Sequence, residues 1–217
     1  MKKAKDRKRY RNGVLLTDIE LAEKHISEMS GILTEILDYF GYANYFKNSL
    51  TEKQRMFIQY DTSFLFFRGT IEQMLFIELH KFFSKSPNDE FSFINLFKNL
   101  QGKGDYWRLN YDCSIINSWE QLFENKKEII EIIRTMRDKF YAHTDENRLF
   151  DNTFNKLFHK PYPIYEEIQS LIEISIAILK KLTIDLFKEE SKFHFVNFRP
   201  GQLNRMIEIL ADDDRKS

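Results

Sequence analysis

The sequence has little of what builds disulfides, turns or membrane spans. Its 217 residues include one cysteine, seven glycines and four prolines. A single cysteine, Cys113, excludes an intramolecular disulfide and a cysteine-rich zinc site. Scarce glycine and proline leave few breaks between regular elements. The longest apolar run, SLIEISIAILKKL, is interrupted by Glu173 and ended by Lys180, well short of the roughly 20 apolar residues that a membrane span needs.

An excess of charge of one sign is also absent. Lys+Arg and Asp+Glu are equal at 33 each, so no overall field favours nucleic acid or membrane. The basic run from Lys2 to Arg11 is not followed by the apolar core of a secretory signal. Such a run either contacts RNA phosphates or is a solvated tail. We therefore expect a soluble cytoplasmic protein with no membrane contact.

The residues that are abundant favour helices. Hydrophobic residues make up 42% of the chain and aromatic residues 15%, which is enough for a substantial core. Many Leu, Ile, Glu and Lys residues, with few alternating patterns, predict an all-α fold. We expect a single helical bundle of four to six helices over residues 15–212, with a basic N-terminal tail at 1–14 and a C-terminal tail at 213–217.

Capping signals place the helices along the chain. Thr17 and Glu20 form a capping box that begins the first helix, and Gly41 with the following YANYFKNS is expected to interrupt it. Thr51 is expected to begin a second helix that runs unbroken to Ser84 and carries a buried aromatic stripe. Three later helix starts are expected near Ser118, after Pro163 and after Pro200.

The stretch RTMRDKFYAHTDENRL departs from the Lys/Glu surface of the rest of the chain. It places Arg137, Asp138, His143 and Asp145 within nine positions. On an unbroken helix, the six-residue separation of Arg137 and His143 leaves them about 120° apart around the axis. They can act together if the helix ends near Tyr141 and the chain turns back, or if they belong to two subunits of a dimer.

These residue types suit phosphate chemistry. Arginine offers a planar fork of donors to a phosphate, and histidine exchanges protons near neutral pH. An arginine and a histidine could therefore cleave RNA through attack of the 2′-hydroxyl, without a metal. The structural alternative is an ordinary helix end, in which Asp138 and Asp145 cap the helix or pair with Arg134, Arg137 and Lys139.

The run RDKFYAH, followed by Thr144 and Asp145, resembles the arginine–histidine signature of the HEPN superfamily, most closely its abortive-infection type U branch. The resemblance implies a helical bundle, often dimeric, and in many members a metal-independent endoribonuclease of toxin–antitoxin or anti-phage systems. It implies that Arg137 binds phosphate, that His143 is catalytic and that Asp138 is the polar residue after the arginine. The implied partners are RNA as substrate, a second copy of the chain and a cognate antitoxin, with no cofactor.

Several other side chains are weaker candidates. Tyr141 and Asp145 would support the site, and Arg134, Lys139 and Glu72 would contact substrate. The histidines His25, His80, His159 and His194 lack the spacing of a zinc site, so no metal site is expected.

A second candidate for RNA contact is an aromatic loop. Tyr106, Trp107 and Tyr111, beside Lys103 and Arg108, either stack on bases or pack on the bundle, and packing is the simpler expectation.

Three hypotheses follow. The chain is a metal-independent endoribonuclease that uses Arg137 and His143, a noncatalytic helical binding or dimerisation module, or a bundle in which these residues form only a structural ion-pair cluster. RNA cleavage in EDTA that depends on His143 would single out the first of them.

Overall fold

The computed structural model describes residues 10–11, 14–15, 17–86, 88–102, 104–138, 164–188 and 201–213. The helices in these ranges are α1 Asp18–Asn44, α2 Glu52–Tyr60, α3 Thr62–Phe83, α4 Phe93–Leu100, α5 Cys113–Glu124, α6 Lys127–Met136, α7 Ile164–Phe187 and α8 Gly201–Asp213. A π-helical segment, Tyr45–Ser49, follows α1, and a 3-10 turn, Trp107–Leu109, precedes α5. The all-α prediction is confirmed, although eight helices in the described ranges exceed the expected four to six.

A short ribbon precedes the helices. Strands β1 Tyr10–Arg11 and β2 Val14–Leu15 pair antiparallel, with Tyr10 opposite Leu15. The expected tail at residues 1–14 therefore ends in paired backbone. Residues 1–9, which hold most of its basic side chains, lie outside the described ranges.

The predicted capping box of α1 is confirmed. Thr17 Oγ1 accepts from the Glu20 amide at 3.4 Å, and the Glu20 carboxylate accepts from the Thr17 amide at 2.7 Å. The expected interruption falls within the YANYFKNS run and not at Gly41, because α1 continues to Asn44 and the chain is π-helical from Tyr45. One glycine costs a helix only about 1 kcal/mol, and continued burial at Ala43 outweighs that cost.

Thr17→Ala is expected to lower the free energy of unfolding by about 1 kcal/mol, because the Glu20 amide loses its acceptor and the Glu20 carboxylate loses the hydroxyl donor. Chemical denaturation would measure the change. Thr62→Ala is the matched control, since Thr62 is exposed in the first turn of α3 and Asp61 provides that helix's cap. Equal losses in both variants would contradict a specific capping contribution.

The expected second helix is two helices. Asp61 has extended backbone angles (φ −89°, ψ 114°), and its carboxylate accepts from the amides of Ser63 and Phe64 at 2.8 and 3.0 Å. It therefore ends α2 and caps α3, as short acidic side chains do. The sequence interpretation missed this cap because the apolar pattern continues across it.

The aromatic stripe of α3 is only partly buried. Phe64 is 8% exposed, whereas Phe66 is 76% exposed and Phe67 is 40% exposed. The expectation that the whole stripe belongs to the core is therefore wrong for the first half of α3. The second half is buried as expected, at Leu75, Leu79 and Phe82, and α3 packs there against α1 and α6.

The helix expected to start at Ser118 begins earlier. Asp112 accepts from the Ser114 amide at 2.8 Å and caps α5. The chain then turns at Asn125–Lys126, and α6 begins at Lys127. The later starts are as predicted, since α7 begins at Ile164 and α8 at Gly201.

Aromatic rings join α3, α4 and α5. Phe93 of α4 lies with its ring centroid 4.9 Å from that of Phe82 and 4.9 Å from that of Phe123. Phe83 lies 5.4 Å from Phe123, and Phe97 stacks on Phe123 at 6.1 Å. Such edge-to-face and offset contacts add to the free energy of burial. They fix the end of α3 against α4 and α5, next to the segment from which Arg137 projects.

Candidate functional site

Arg137 follows directly after α6. The buried face of that helix consists of Ile129, Ile132, Ile133 and Met136. Arg137 has helical angles (φ −60°, ψ −49°), and its amide is shared between the carbonyls of Ile133 and Arg134. At Arg137 and Asp138 the chain is π-helical. The α-helix therefore ends at Met136; Tyr141, near which the sequence placed the helix end, and His143 lie outside the described residues. Single π turns inside helices are frequent at functional sites.

A cleft of about 230 Å³ separates α6 from the end of α3 and the segment after it. Its polar lining comes from His80, Ser84, Lys85, Ser86, Glu131, Arg134, Arg137 and Asp138. Three of these side chains are cations and two are acids. The cleft is therefore cationic on balance when His80 is neutral, although the whole chain has a formal net charge of zero. A local excess of this kind attracts anions.

The Arg137 guanidinium remains accessible within this cleft. Its side chain is 40% exposed, and Nη1 donates to Asp138 Oδ1 at 2.7 Å. Within the described part of the chain, Asp138 is its one hydrogen-bond partner. An exposed pair of this kind contributes at most about 1 kcal/mol to stability. Because the guanidinium has five donors, the pair orients Arg137 and leaves donors that can bind a phosphate.

Arg134 is more weakly held. Its Nη1 lies 3.4 Å from Glu131 Oε2, one helical turn back, and its side chain is 60% exposed. Arg134 lines the same cleft as Arg137. The cleft therefore offers two guanidinium groups to a bound anion.

His80 faces this cleft from α3. Burial lowers the pKa of His80 below its usual value, and the positive charge of Arg137 lowers it further. Arg134 acts in the same direction, whereas Asp138 and Asp89 act in the opposite one. His80 is therefore neutral at neutral pH. Because the pKa of His80 is lower in the folded than in the unfolded state, His80 is protonated first in the unfolded chain. The free energy of unfolding therefore decreases as the pH falls through about 6.5.

Arg137→Ala is expected to raise the pKa of His80, because the variant removes a cation that disfavours imidazolium. Asp138→Asn should lower the same pKa, because it removes the opposing negative charge. A titration of the His80 ring signals by NMR in wild type and both variants would measure the shifts. Shifts in the same direction in both variants would contradict the electrostatic account of this cleft.

The structure places only some of the predicted site residues. Arg137, Asp138 and Arg134 line one cleft. Glu72 is not among the described residues that line it; its Oε1 accepts from Arg68 Nε at 3.1 Å and from the Tyr165 hydroxyl at 3.3 Å. The remaining predicted residues, Lys139, Tyr141, His143 and Asp145, lie outside the described residues, and their roles stay predictions.

The aromatic loop mostly packs on the bundle, as expected. Tyr106 is 2% exposed, with its hydroxyl hydrogen-bonded to His25 Nδ1, so it does not present a face to a base. Tyr111 donates to Asp185 Oδ2 at 2.7 Å. Trp107 stays 45% exposed. Lys103 is outside the described residues.

The described residues contain neither a cluster of metal ligands nor a membrane-spanning helix. No group of three or more His, Cys, Asp and Glu side chains among them could hold a metal ion. No helix in the same ranges is both long and apolar enough to cross a membrane.

The sequence interpretation missed the residues that the end of α3 and the segment after it bring to the cleft, His80 and Lys85 among them. His80 and Lys85 lie at the end of α3 and just beyond it, far from Arg137 along the chain, and they reach the cleft because α3 packs against α6. His80 has no histidine partner at metal-ligand spacing, which removed it from consideration as a ligand. The sequence feature that could have pointed to His80 is its position in the last turn of α3, one turn before the buried Phe83.

The chain matches a known family. The model of the AbiU2 family, HEPN_AbiU2, matches residues 18–200, which include helices α1 to α7 and the whole RDKFYAH run; α8 begins at Gly201, just after the matched range. No curated protein and no solved structure matches the chain.

Proposed function

Because this chain belongs to the AbiU2 family of HEPN proteins, we propose that it is a metal-independent endoribonuclease of a toxin or anti-phage type. The substrate is single-stranded RNA, Arg137 binds the scissile phosphate, and His143 transfers protons. Asp138 positions Arg137, while Tyr141 and Asp145 support the site. Lys139 and Arg134 contact neighbouring phosphates.

The observation that carries the proposal is the placement of Arg137. Its guanidinium is 40% exposed and oriented by Asp138, and it lines a cationic cleft with Arg134 and Lys85. An arginine that only stabilises a helix end does not require a concave surface with other cations. A phosphate-binding arginine does, because a phosphate is bound best by several donors that converge on it.

The proposed reaction is an internal transesterification. A base removes the proton of the 2′-hydroxyl, and the 2′-oxygen attacks the adjacent phosphorus. The bond from phosphorus to the 5′-oxygen breaks, and an acid protonates that oxygen. The products are a 2′,3′-cyclic phosphate and a 5′-hydroxyl. Arg137 stabilises the negative charge that increases on the phosphoryl oxygens in the transition state.

We propose that the chain acts as a homodimer. One His143 cannot be base and acid in the same step, whereas two copies supply both groups. Apolar side chains at the surface of α2 and α3 support self-association, since Tyr60 is 78% exposed and Phe66 is 76% exposed. Large apolar side chains this exposed gain free energy when a partner surface covers them. A cognate antitoxin would silence the enzyme by covering the same cleft or this surface.

Incubation of the purified chain with mixed-sequence RNA in EDTA tests the activity. Products ending in 2′,3′-cyclic phosphate are expected. The nuclease would be excluded if a folded dimer left both the mixed-sequence RNA and RNA from infected cells intact. That result would favour the second function, a noncatalytic binding module, for which the same exposed residues of α2 and α3 are the supporting observation.

A further inference from the structure

A second concavity adjoins the Arg137 cleft. It has a volume of about 360 Å³ and lies between α4, α5 and α6. The two concavities share four lining residues: Phe83, Lys85, Ile130 and Glu131. They therefore form one continuous groove with a cationic end at Arg137 and a mainly apolar end, which we call the aromatic pocket.

The aromatic pocket is built from rings that the fold already holds in place. Phe83, Phe93, Phe97 and Phe123 line it, and the ring centroids of the contacting pairs with Phe123 lie 4.9–6.1 Å apart. Phe93 and Phe97 are only 1% and 2% exposed, so they form the packed base of the pocket, and the side chains open to a ligand are the partly buried Ile94, Phe123 and Ile130. The walls are therefore fixed by core packing, and a ligand pays little to order them.

We propose that this pocket receives one nucleobase of the RNA whose phosphate lies at Arg137. The proposal rests on the proposed function and deepens it, because it assigns a subsite for the nucleotide beside the scissile bond. A nucleotide joins a flat apolar ring system to an anion through one sugar, and the groove joins an aromatic pocket to a cationic cleft in the same order.

One further feature favours a base over a peptide or a helix. The volume is at the low end of small-molecule sites, which suits one ring system and not an extended apolar face. The charged lining consists of three lysines and three glutamates: Lys85, Lys98, Lys127, Glu120, Glu124 and Glu131. Lys127 Nζ donates to Glu124 Oε1 at 2.9 Å. The described lining therefore carries no net charge, and the cations that face a phosphate are those of the Arg137 cleft.

The test uses the wild-type full chain and a short fluorescein-labelled 2′-O-methyl oligonucleotide, which has no 2′-hydroxyl to attack phosphorus. Binding is compared with a set in which each position in turn is abasic. Removal of the base at one position is expected to weaken the affinity by about tenfold, since it removes that base's contact with the pocket. Equal affinity across the set would overturn the proposal.

Ile94→Trp assigns the effect to this pocket. Ile94 lines it and is partly exposed, so tryptophan should fill it. The variant is expected to weaken binding of the intact oligonucleotide about tenfold and to make the sensitive abasic position neutral, as two changes to one contact do. Leu122→Trp is the matched control, because Leu122 is 42% exposed and does not line the pocket. Equal behaviour of the two variants would overturn the assignment.

Two additional results separate the possible failures. If Ile94→Trp does not fold, Lys98→Glu should weaken binding several-fold more than Lys24→Glu, an exposed lysine of α1; equal effects would count against the pocket. Base-dependent binding without cleavage of ordinary RNA would support the subsite while excluding the nuclease. Cleavage of ordinary RNA, with no base-sensitive position in the binding assay, would support the nuclease and exclude the subsite.

Discussion

Replacing His143 with alanine is expected to abolish RNA cleavage in EDTA, and replacing Arg137 should do nearly the same. Loss of a positioned acid or base costs roughly 10²- to 10⁴-fold in rate, and loss of a charge-stabilising donor costs about 10²- to 10³-fold. Single-turnover cleavage of a labelled RNA by wild type and each variant would measure the loss.

The interpretation requires that folding be unchanged. Arg137 is 40% exposed and its one described partner is the equally accessible Asp138, so Arg137→Ala should shift the free energy of unfolding by less than about 1 kcal/mol. Arg68→Ala is the matched control, because Arg68 is 44% exposed and paired with Glu72, outside the cleft. Cleavage by Arg137→Ala at the wild-type rate would exclude the assigned role.

The same variants separate the three hypotheses. A structural ion-pair cluster predicts a loss of stability without a loss of activity. A binding module predicts no cleavage by wild type, with RNA or protein binding retained. The endoribonuclease alone predicts wild-type cleavage that each substitution removes while the melting temperature stays constant.

Phe82→Ala is expected to cause the largest loss of stability, about 3–5 kcal/mol, because it leaves a cavity in a close-packed core. Phe82 is fully buried, and its ring centroid is 5.8 Å from that of Phe83 and 4.9 Å from that of Phe93. For a chain of this length, each kcal/mol shifts the melting temperature by about 2–4 °C. A fall of roughly 6–20 °C should follow, measured by differential scanning calorimetry.

Phe66→Ala is the matched control for this substitution. Both residues are phenylalanines of α3, but Phe66 is 76% exposed. Its replacement should change the free energy of unfolding by no more than about 0.5 kcal/mol in the monomer. If Phe66 lies in a dimer interface, Phe66→Ala should instead weaken self-association, seen as a melting temperature that depends on protein concentration. A large loss in a dilute monomer would contradict the exposure of Phe66.

Local signals in the sequence were sufficient for the class of fold and for several helix ends. Thr17 and Glu20 are three residues apart, so a capping box could be recognised from sequence alone. The apolar period of α7 and the prolines before it similarly predicted its start. These features depend on hydrogen bonds and steric limits within one helical turn, which the order of residues determines directly.

The missed boundaries arose where two local signals compete. Asp61 ends one helix and caps the next although the apolar pattern runs across it, and Gly41 does not end α1 because burial continues beyond it. Whether burial or a cap prevails depends on what the neighbouring elements cover. The exposure of Phe66 has the same origin, since a hydrophobic side chain is buried only where another element packs on it.

The sequence by itself determined the helical class and singled out Arg137 and His143, because their chemistry and spacing in RDKFYAH are local properties of the chain. Only the tertiary structure brought His80 and Lys85 beside Arg137 and set the aromatic pocket next to that cleft. These residues are far apart in sequence and meet because α3 packs against α6 and, through its phenylalanines, against α4 and α5. Such packing minimises exposed apolar surface over the whole molecule, and no short stretch of sequence records its outcome.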